Sequence, residues 1–123
     1  MSSKTILSVE NDKDVREMIV AIVESLVHTC LEAASAREAI DVLKKNVVDL
    51  ILLDIHMPGA RGNQFLKFIR ARGTQVPVIV VSGYLQTEVV KEVTDLDVAA
   101  VLSKPIRVKR LAEELQKIFG SDS

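Results

Sequence analysis

The chain has 123 residues, 48% of them hydrophobic and 27% charged, which is typical of one soluble globular domain over residues 1–123. Its 16 basic and 17 acidic residues leave a net charge of −1, which gives no electrostatic indication of binding to nucleic acid or to an anionic membrane. The single Cys30 excludes an internal disulfide and a multi-cysteine metal site, and the lack of a membrane-length apolar run or a signal peptide predicts a cytoplasmic protein.

The N-terminal third of the chain alternates short apolar runs with amphipathic stretches. Residues 5–9 (TILSV) predict a buried strand, and residues 14–26 carry apolar side chains at helical spacing. A second, weaker strand is predicted over 29–34 (TCLEAA). The helix predicted over 35–45 opens with SARE, a Ser-x-x-Glu pattern that is the signature of a capping box.

The middle of the chain continues the alternation. Residues 49–54 (DLILLD) predict an unbroken apolar strand, and the sequence MPGARG after it predicts a turn. Residues 62–73 predict a helix that Gly73 ends, and residues 76–82 (VPVIVVS) predict a fourth strand.

The last third of the chain completes the pattern with a short helix over 86–96, a fifth strand within 99–105, an amphipathic helix over 108–119 and a disordered tail over 120–123. Strand and helix therefore alternate five times. Continuously apolar strands indicate a sheet that is covered on both faces, as in parallel sheets flanked by helices. The predicted fold class is α/β, a doubly wound (βα)5 three-layer sandwich.

Polar residues follow four of the five predicted strands, and the carboxyl ends of such strands line the ligand crevice. Glu10 and Asn11 follow the first strand, Asp54 ends the third, Ser82 ends the fourth and Lys104 follows the fifth. Crowded carboxylates favour a hard cation such as Mg²⁺ between them. A lysine and a hydroxyl beside a carboxylate nucleophile suit an anionic group, so this set of residues indicates phosphoryl transfer.

In chain order, VEND (9–12), LLDIHMPG (52–59), VSGY (81–84) and LSKP (102–105) resemble the motifs of CheY-like receiver domains of two-component response regulators. The resemblance covers essentially the whole chain. It implies a flavodoxin-like fold with sheet order 2-1-3-4-5. It also implies a signalling switch rather than a metabolic enzyme, whose only chemistry is its own phosphorylation and dephosphorylation.

The resemblance assigns Asp54 as the acceptor of a phosphoryl group from a kinase phosphohistidine. Mg²⁺ would be bound by Glu10, Asn11, Asp54 and the backbone carbonyl of His56. Receivers usually have a second acidic residue where this chain has Asn11, so we predict weak Mg²⁺ binding, since even an outer partner of a metal ligand contributes roughly 10–100-fold to affinity. Asp12 is expected to cap the first helix rather than replace the missing acid.

The resemblance also assigns residues that would contact the phosphoryl group. Ser82 and Lys104 would bind its oxygens, Ser82 moving toward it in the active state, and the peptide bond before Pro105 is expected to be cis. The side chains of His56 and Tyr84 would flank the group, and we hypothesise that Tyr84 slows dephosphorylation by limiting access of water.

Two further positions depart from the family pattern. Val101 stands where receivers commonly have Tyr or Phe, so the usual movement of a ring is replaced or blunted. Arg61 replaces a common acidic residue in the turn, with no consequence that can be derived.

The expected partner is a sensor histidine kinase or a phosphotransfer protein. Residues 86–119 would form the surface for a homodimer or an output partner, and neither nucleic acid nor a membrane is expected. The alternative is a degenerate receiver that acts as a phosphorylation-independent interaction module. Asn11 and Val101 favour this alternative, and the intact Asp54, Ser82 and Lys104 oppose it. A phosphatase of the haloacid dehalogenase type would need an aspartate at position 56, and a flavin-binding protein would need a Ser/Thr/Gly-rich loop after the first strand.

Overall fold

The computed structural model describes residues 3–56, 62–83, 91 and 94–120. Its five strands are all parallel and lie in the order β2-β1-β3-β4-β5, which confirms the predicted sheet. The central strands β3 and β4 are buried along their whole length, as their continuous apolar sequences indicate. The strands are β1 (Thr5–Val9), β2 (Thr29–Ala33), β3 (Leu50–Asp54), β4 (Val78–Ser82) and β5 (Ala100–Ser103).

Four helices are described, and they cover both faces of the sheet. Successive strand residues point to opposite faces, so Ile6 belongs to one apolar cluster and Leu7 to the other. The cluster of Ile6 includes residues of α1 and the C-terminal helix, and the cluster of Leu7 includes residues of α2 and α3. The helices are α1 (Lys13–Ser25), α2 (Ala36–Lys45), α3 (Gly62–Ala71) and the C-terminal helix (Val108–Phe119).

The first two helices begin at the predicted caps. Asp12 Oδ1 accepts a hydrogen bond from the backbone N–H of Val15 at 3.1 Å, so this carboxylate caps α1 as expected. Ser35 Oγ accepts from the Glu38 N–H at 3.2 Å, and the Glu38 carboxylate accepts from the Ala34 N–H at 3.2 Å. The capping box therefore forms, but its returning bond reaches the residue before the cap.

Helices α1 and α3 end through residues with positive φ. Gly73 has a φ of 85° and donates to the Arg70 carbonyl, while Thr74 donates to the Ile69 carbonyl. These two bonds form a Schellman motif, so α3 ends at Ala71 with Gly73 just beyond it rather than inside the helix. At the end of α1 the same position is taken by Val27, with a φ of 62° and no glycine to relieve the strain.

Several sequence predictions lie outside the described residues. These are the turn at 57–61, most of the helix expected over 86–96 and the last three residues of the predicted tail. In the described portion, no helix is long and apolar enough to cross a membrane.

Candidate functional site

The carboxyl ends of β1, β3, β4 and β5 bring four predicted site residues to one edge of the sheet. Asp54 lies in register with Val81, the residue before Ser82, and Ser82 is paired with Ser103. The three polar residues Glu10, Asp54 and Ser82 are 2%, 5% and 0% exposed. The parallel topology thus concentrates polar groups in a place that is otherwise walled by aliphatic side chains.

The Lys104 ammonium lies between the two buried carboxylates. Its Nζ is 2.7 Å from Glu10 Oε1 and 3.4 Å from Asp54 Oδ2, and the lysine side chain is 24% exposed. The contact with Glu10 is a short ion pair to a carboxylate oxygen that is itself buried. Lys104 therefore balances one of the two negative charges that the strands bring together.

Burial and charge act in opposite directions on the pKa values of this ion pair. Burial raises the pKa of Glu10, with the nearby Asp54 carboxylate adding to the effect and Lys104 opposing it. Burial alone would lower the pKa of Lys104, but the contacts with Glu10 and Asp54 outweigh it, and the pKa lies above its ordinary value. The lysine is thus charged at neutral pH and available to an anion.

Backbone N–H groups hold the other oxygen of each carboxylate. The Asp12 N–H donates to Glu10 Oε2 at 3.1 Å, and the His56 N–H donates to Asp54 Oδ1 at 3.1 Å. Each carboxylate is therefore fixed by its own chain two residues later. His56 is exposed, and its roles as a metal ligand and beside the phosphoryl group stay predictions.

The loop after β5 places the lysine beside Ser82. The Lys104 N–H donates to the Ser82 carbonyl at 2.8 Å, which extends the pairing of β4 and β5 by one bond. The peptide bond between Lys104 and Pro105 is cis, the isomer expected from the sequence.

The predicted metal ligands supply only oxygen atoms, and the set includes two carboxylates instead of the usual three. Asn11 is exposed and directly follows the buried Glu10. Among the described residues, no group of three or more His, Cys, Asp or Glu side chains is placed to hold a metal ion. Two buried carboxylates beside an amide oxygen fit a hard cation, with less negative charge than a third carboxylate would give.

One residue of this edge was not identified from the sequence. Arg16, on α1, donates from Nη1 to the carbonyl oxygens of Glu10 at 2.8 Å and Asn11 at 3.3 Å. The sequence shows only an arginine in an amphipathic helix. It does not reveal that the side chain folds back and bonds to the carbonyls of the preceding turn.

Two other residues that stand out in the sequence are Cys30 and Val101. Cys30 is half-buried on β2, and burial raises the pKa of its thiol to about 12, which agrees with a packing role. Val101, on β5, is partly buried and lines a hollow of about 260 Å³ beside Pro105 and Arg110. Tyr84 and Arg61 are outside the described residues, so their expected positions stay predictions.

Comparisons of the sequence and of the structure both match this chain to receiver domains of response regulators. The family model for the response regulator receiver domain matches residues 6–116. The regulator of RpoS from Escherichia coli K12 is 35% identical over 89% of this chain and 33% of its own length, and the sporulation initiation phosphotransferase F of Bacillus subtilis is 24% identical over 95% and 94%.

A crystal structure of a response regulator receiver protein from Pseudomonas putida superposes with a TM-score of 0.87 at 26% identity, covering 95% of this chain and 98% of that one. The chain spans between 33% and 40% of the length of the first curated relatives that it matches. The matched region is therefore a module that other proteins carry beside further sequence.

Proposed function

We infer that this chain, which belongs to the response regulator receiver domain family, accepts a phosphoryl group on Asp54 and passes the signal on through a change of its surface. The observation that carries the proposal is the geometry of three side chains. A buried Asp54 carboxylate lies 3.4 Å from the Lys104 ammonium, which also contacts the buried Glu10 at 2.7 Å. A nucleophile, a fixed cation and a second carboxylate in one buried place are what phosphoryl transfer requires.

The proposed step transfers phosphorus from nitrogen to oxygen. A carboxylate oxygen of Asp54 attacks the phosphorus of a phosphohistidine, the P–O bond forms and the P–N bond breaks, and the imidazole leaves and takes up a proton. The His56 N–H on Asp54 Oδ1 orients the nucleophile. Lys104 is close enough to neutralise an oxygen of the phosphoryl group as it arrives, and the Ser82 hydroxyl is the proposed donor to another.

Receivers take up their phosphoryl group with Mg²⁺, which neutralises phosphate charge when it is bound. In this chain Glu10, Asn11, Asp54 and the carbonyl of His56 are the residues that would hold the ion. Glu10 already shares its charge with Lys104 at 2.7 Å, and Asn11 adds no charge. We therefore propose that Mg²⁺ binds weakly.

Response regulators work with histidine kinases or phosphotransfer proteins, and we propose such a donor for this chain. The output surface is proposed to be formed by residues 86–119, of which β5 and the C-terminal helix are described. On that helix, Glu114 is 5% exposed and is paired with Arg110 and Lys117, so its charge is already neutralised. The small side chain of Val101 indicates that this surface changes without movement of an aromatic ring at that position.

The test compares two lysine variants. The unmodified chain, Lys104→Met and Lys117→Met are incubated with Mg²⁺ and acetyl phosphate, and the gain of one phosphoryl group is followed by intact mass. We expect Lys104→Met to lose most of the adduct, because the carboxylates lose their cation. Lys117→Met, which removes a lysine that is paired with Glu114 on the C-terminal helix, should react like the unmodified chain.

An equal rate for Lys104→Met and the unmodified chain would contradict the assigned role of the lysine. The absence of any adduct on all three would instead support the phosphorylation-independent interaction module, and the search would then turn to a protein partner.

A further inference from the structure

Arg16 connects three parts of the molecule near the site. From α1, its guanidinium Nη1 donates to the Glu10 carbonyl at 2.8 Å and to the Asn11 carbonyl at 3.3 Å, and its Nε donates to Glu32 Oε1 on β2 at 3.3 Å. The arginine side chain is only 17% exposed. Its contacts therefore join the start of α1, the turn after β1 and the neighbouring edge strand.

The two carbonyls that Arg16 contacts lie where one regular hydrogen-bond pattern ends and the next begins. The Glu10 N–H continues the sheet by donating to the Ala33 carbonyl at 3.0 Å, and the first bond of α1 runs from the Arg16 N–H to the Asp12 carbonyl at 2.9 Å. Between these points the chain turns within two residues. Arg16 supplies donors for that turn, and the buried Glu10 side chain accepts from the Asp12 N–H in the same turn.

We propose that Arg16, oriented by Glu32, is a positioning residue that holds Glu10 and Asn11 in the geometry required for cation binding beside Asp54. The inference rests on the proposed function for its biological meaning. The guanidinium is planar and its donors are fixed relative to one another, so it can hold adjacent carbonyls and a carboxylate in one arrangement. Lysine keeps the charge but cannot reproduce these directed bonds.

A positioning role and a simple charge effect predict opposite results. If Arg16 acted only through its positive charge, it would repel a cation, so Arg16→Gln would bind Mg²⁺ more tightly and Arg16→Lys would bind it unchanged. If Arg16 acts by holding the turn, both substitutions weaken binding. The pair of variants therefore separates the two effects without any phosphoryl donor.

The experiment measures the Mg²⁺ dissociation constant of each purified variant by NMR, from the chemical shifts of backbone amides at Glu10, Asn11 and Asp54. Far-UV circular dichroism first establishes that each protein is folded at the temperature used. We expect both Arg16 variants to bind Mg²⁺ about 10-fold more weakly, as for other partners of metal ligands. The control Lys13→Gln removes an exposed positive charge at the start of the same helix and should leave the affinity unchanged.

A second measurement separates positioning from stability. With acetyl phosphate, the Arg16 variants should need about 10-fold more Mg²⁺ for half-maximal phosphorylation and regain much of the maximal rate at saturating Mg²⁺. An affinity equal to that of the unmodified chain, with only a lower melting temperature, would overturn the inference. Tighter binding in Arg16→Gln alone, or no Mg²⁺ binding by the unmodified chain, would also overturn it.

The inference and the proposed function can fail separately. If the unmodified chain binds Mg²⁺, the Arg16 variants bind it weakly and no variant takes up a phosphoryl group, the positioning role stands and the phosphoacceptor function fails. If the chain is phosphorylated and the Arg16 variants bind Mg²⁺ normally, only the positioning role fails.

Discussion

Gly62 provides the sharpest structural prediction, because α3 begins in direct backbone contact with the strand that carries Asp54. A Cβ atom added at Gly62 would lie 2.5 Å from Ile55 Cα and 2.6 Å from the Asp54 carbonyl oxygen. Restoring an ordinary contact of 3.4 Å to Ile55 requires the two backbones to separate by roughly 0.9 Å. Neither contact atom belongs to a flexible side chain, so the cost cannot be relieved by a rotamer change.

We expect Gly62→Ala to lower the free energy of unfolding by about 3 kcal/mol, at the upper end for overpacked sites. A shift of about 1 Å at Asp54 would also slow phosphorylation by up to about 100-fold. The matched control is Gly83→Ala, whose new Cβ would meet, among the residues that the structure describes, Lys104 Cδ at 3.9 Å; it should change stability by less than about 0.5 kcal/mol.

The assay for both glycine variants is urea denaturation followed by far-UV circular dichroism, since the chain has no tryptophan. Phosphorylation is then measured at a temperature where both variants are folded. If Gly62→Ala and Gly83→Ala were equally stable, the close approach of α3 to the end of β3 would be wrong.

Three further predictions concern other parts of the molecule. Val27 is 65% exposed and has a φ of 62°, so its side chain adds backbone strain and little packing. Val27→Gly should therefore raise the free energy of unfolding in urea by about 0.5–1 kcal/mol, and a decrease would contradict backbone strain at this residue. Asn11→Asp should tighten Mg²⁺ binding at least about 10-fold in an NMR titration, and an unchanged affinity would show that position 11 does not contact the ion. Burial and the charge of Lys4 lower the pKa of His28, whose Nδ1 accepts from the Lys4 N–H at 3.0 Å. As the pH falls, His28 is therefore protonated in the unfolded chain before it is protonated in the folded chain. The contribution of His28 to the free energy of unfolding is complete above pH 6.5 and decreases below it by at most about 1.4 kcal/mol per pH unit. His28→Asn should remove that slope between pH 7.5 and 5.5, and an equal slope in both proteins would rule out His28 as its source.

The sequence was sufficient to predict the sheet and most of the site because both depend on local patterns. Short runs that are mostly apolar predict the strands, and a parallel sheet brings the carboxyl ends of those strands to one edge whatever the details of packing. Asp54, Ser82 and Lys104 therefore meet because of where they stand along their strands. The caps at Asp12 and Ser35 are equally local, since each bonds to a residue three positions later.

The features that the sequence did not reveal depend on contacts between distant segments. Arg16 bonds Glu32 across two elements, and nothing in its own helix indicates that pairing. Gly62 was predicted only as the start of a helix, although it is needed because α3 approaches the backbone of β3. The positive φ of Val27 runs against the preference of its residue type, so no local rule predicts it.

The measurement that tests the central claim most directly is the mass of the intact protein after incubation with Mg²⁺ and acetyl phosphate. The unmodified chain is compared with Asp54→Asn and with Asp49→Asn, which changes an aspartate that precedes the same strand and accepts a bond from the Thr5 N–H. We predict one phosphoryl adduct on the unmodified chain and on Asp49→Asn, and none on Asp54→Asn. An adduct that persists on Asp54→Asn, or no adduct on the unmodified chain at high Mg²⁺, would contradict the assignment of Asp54 as the phosphoacceptor.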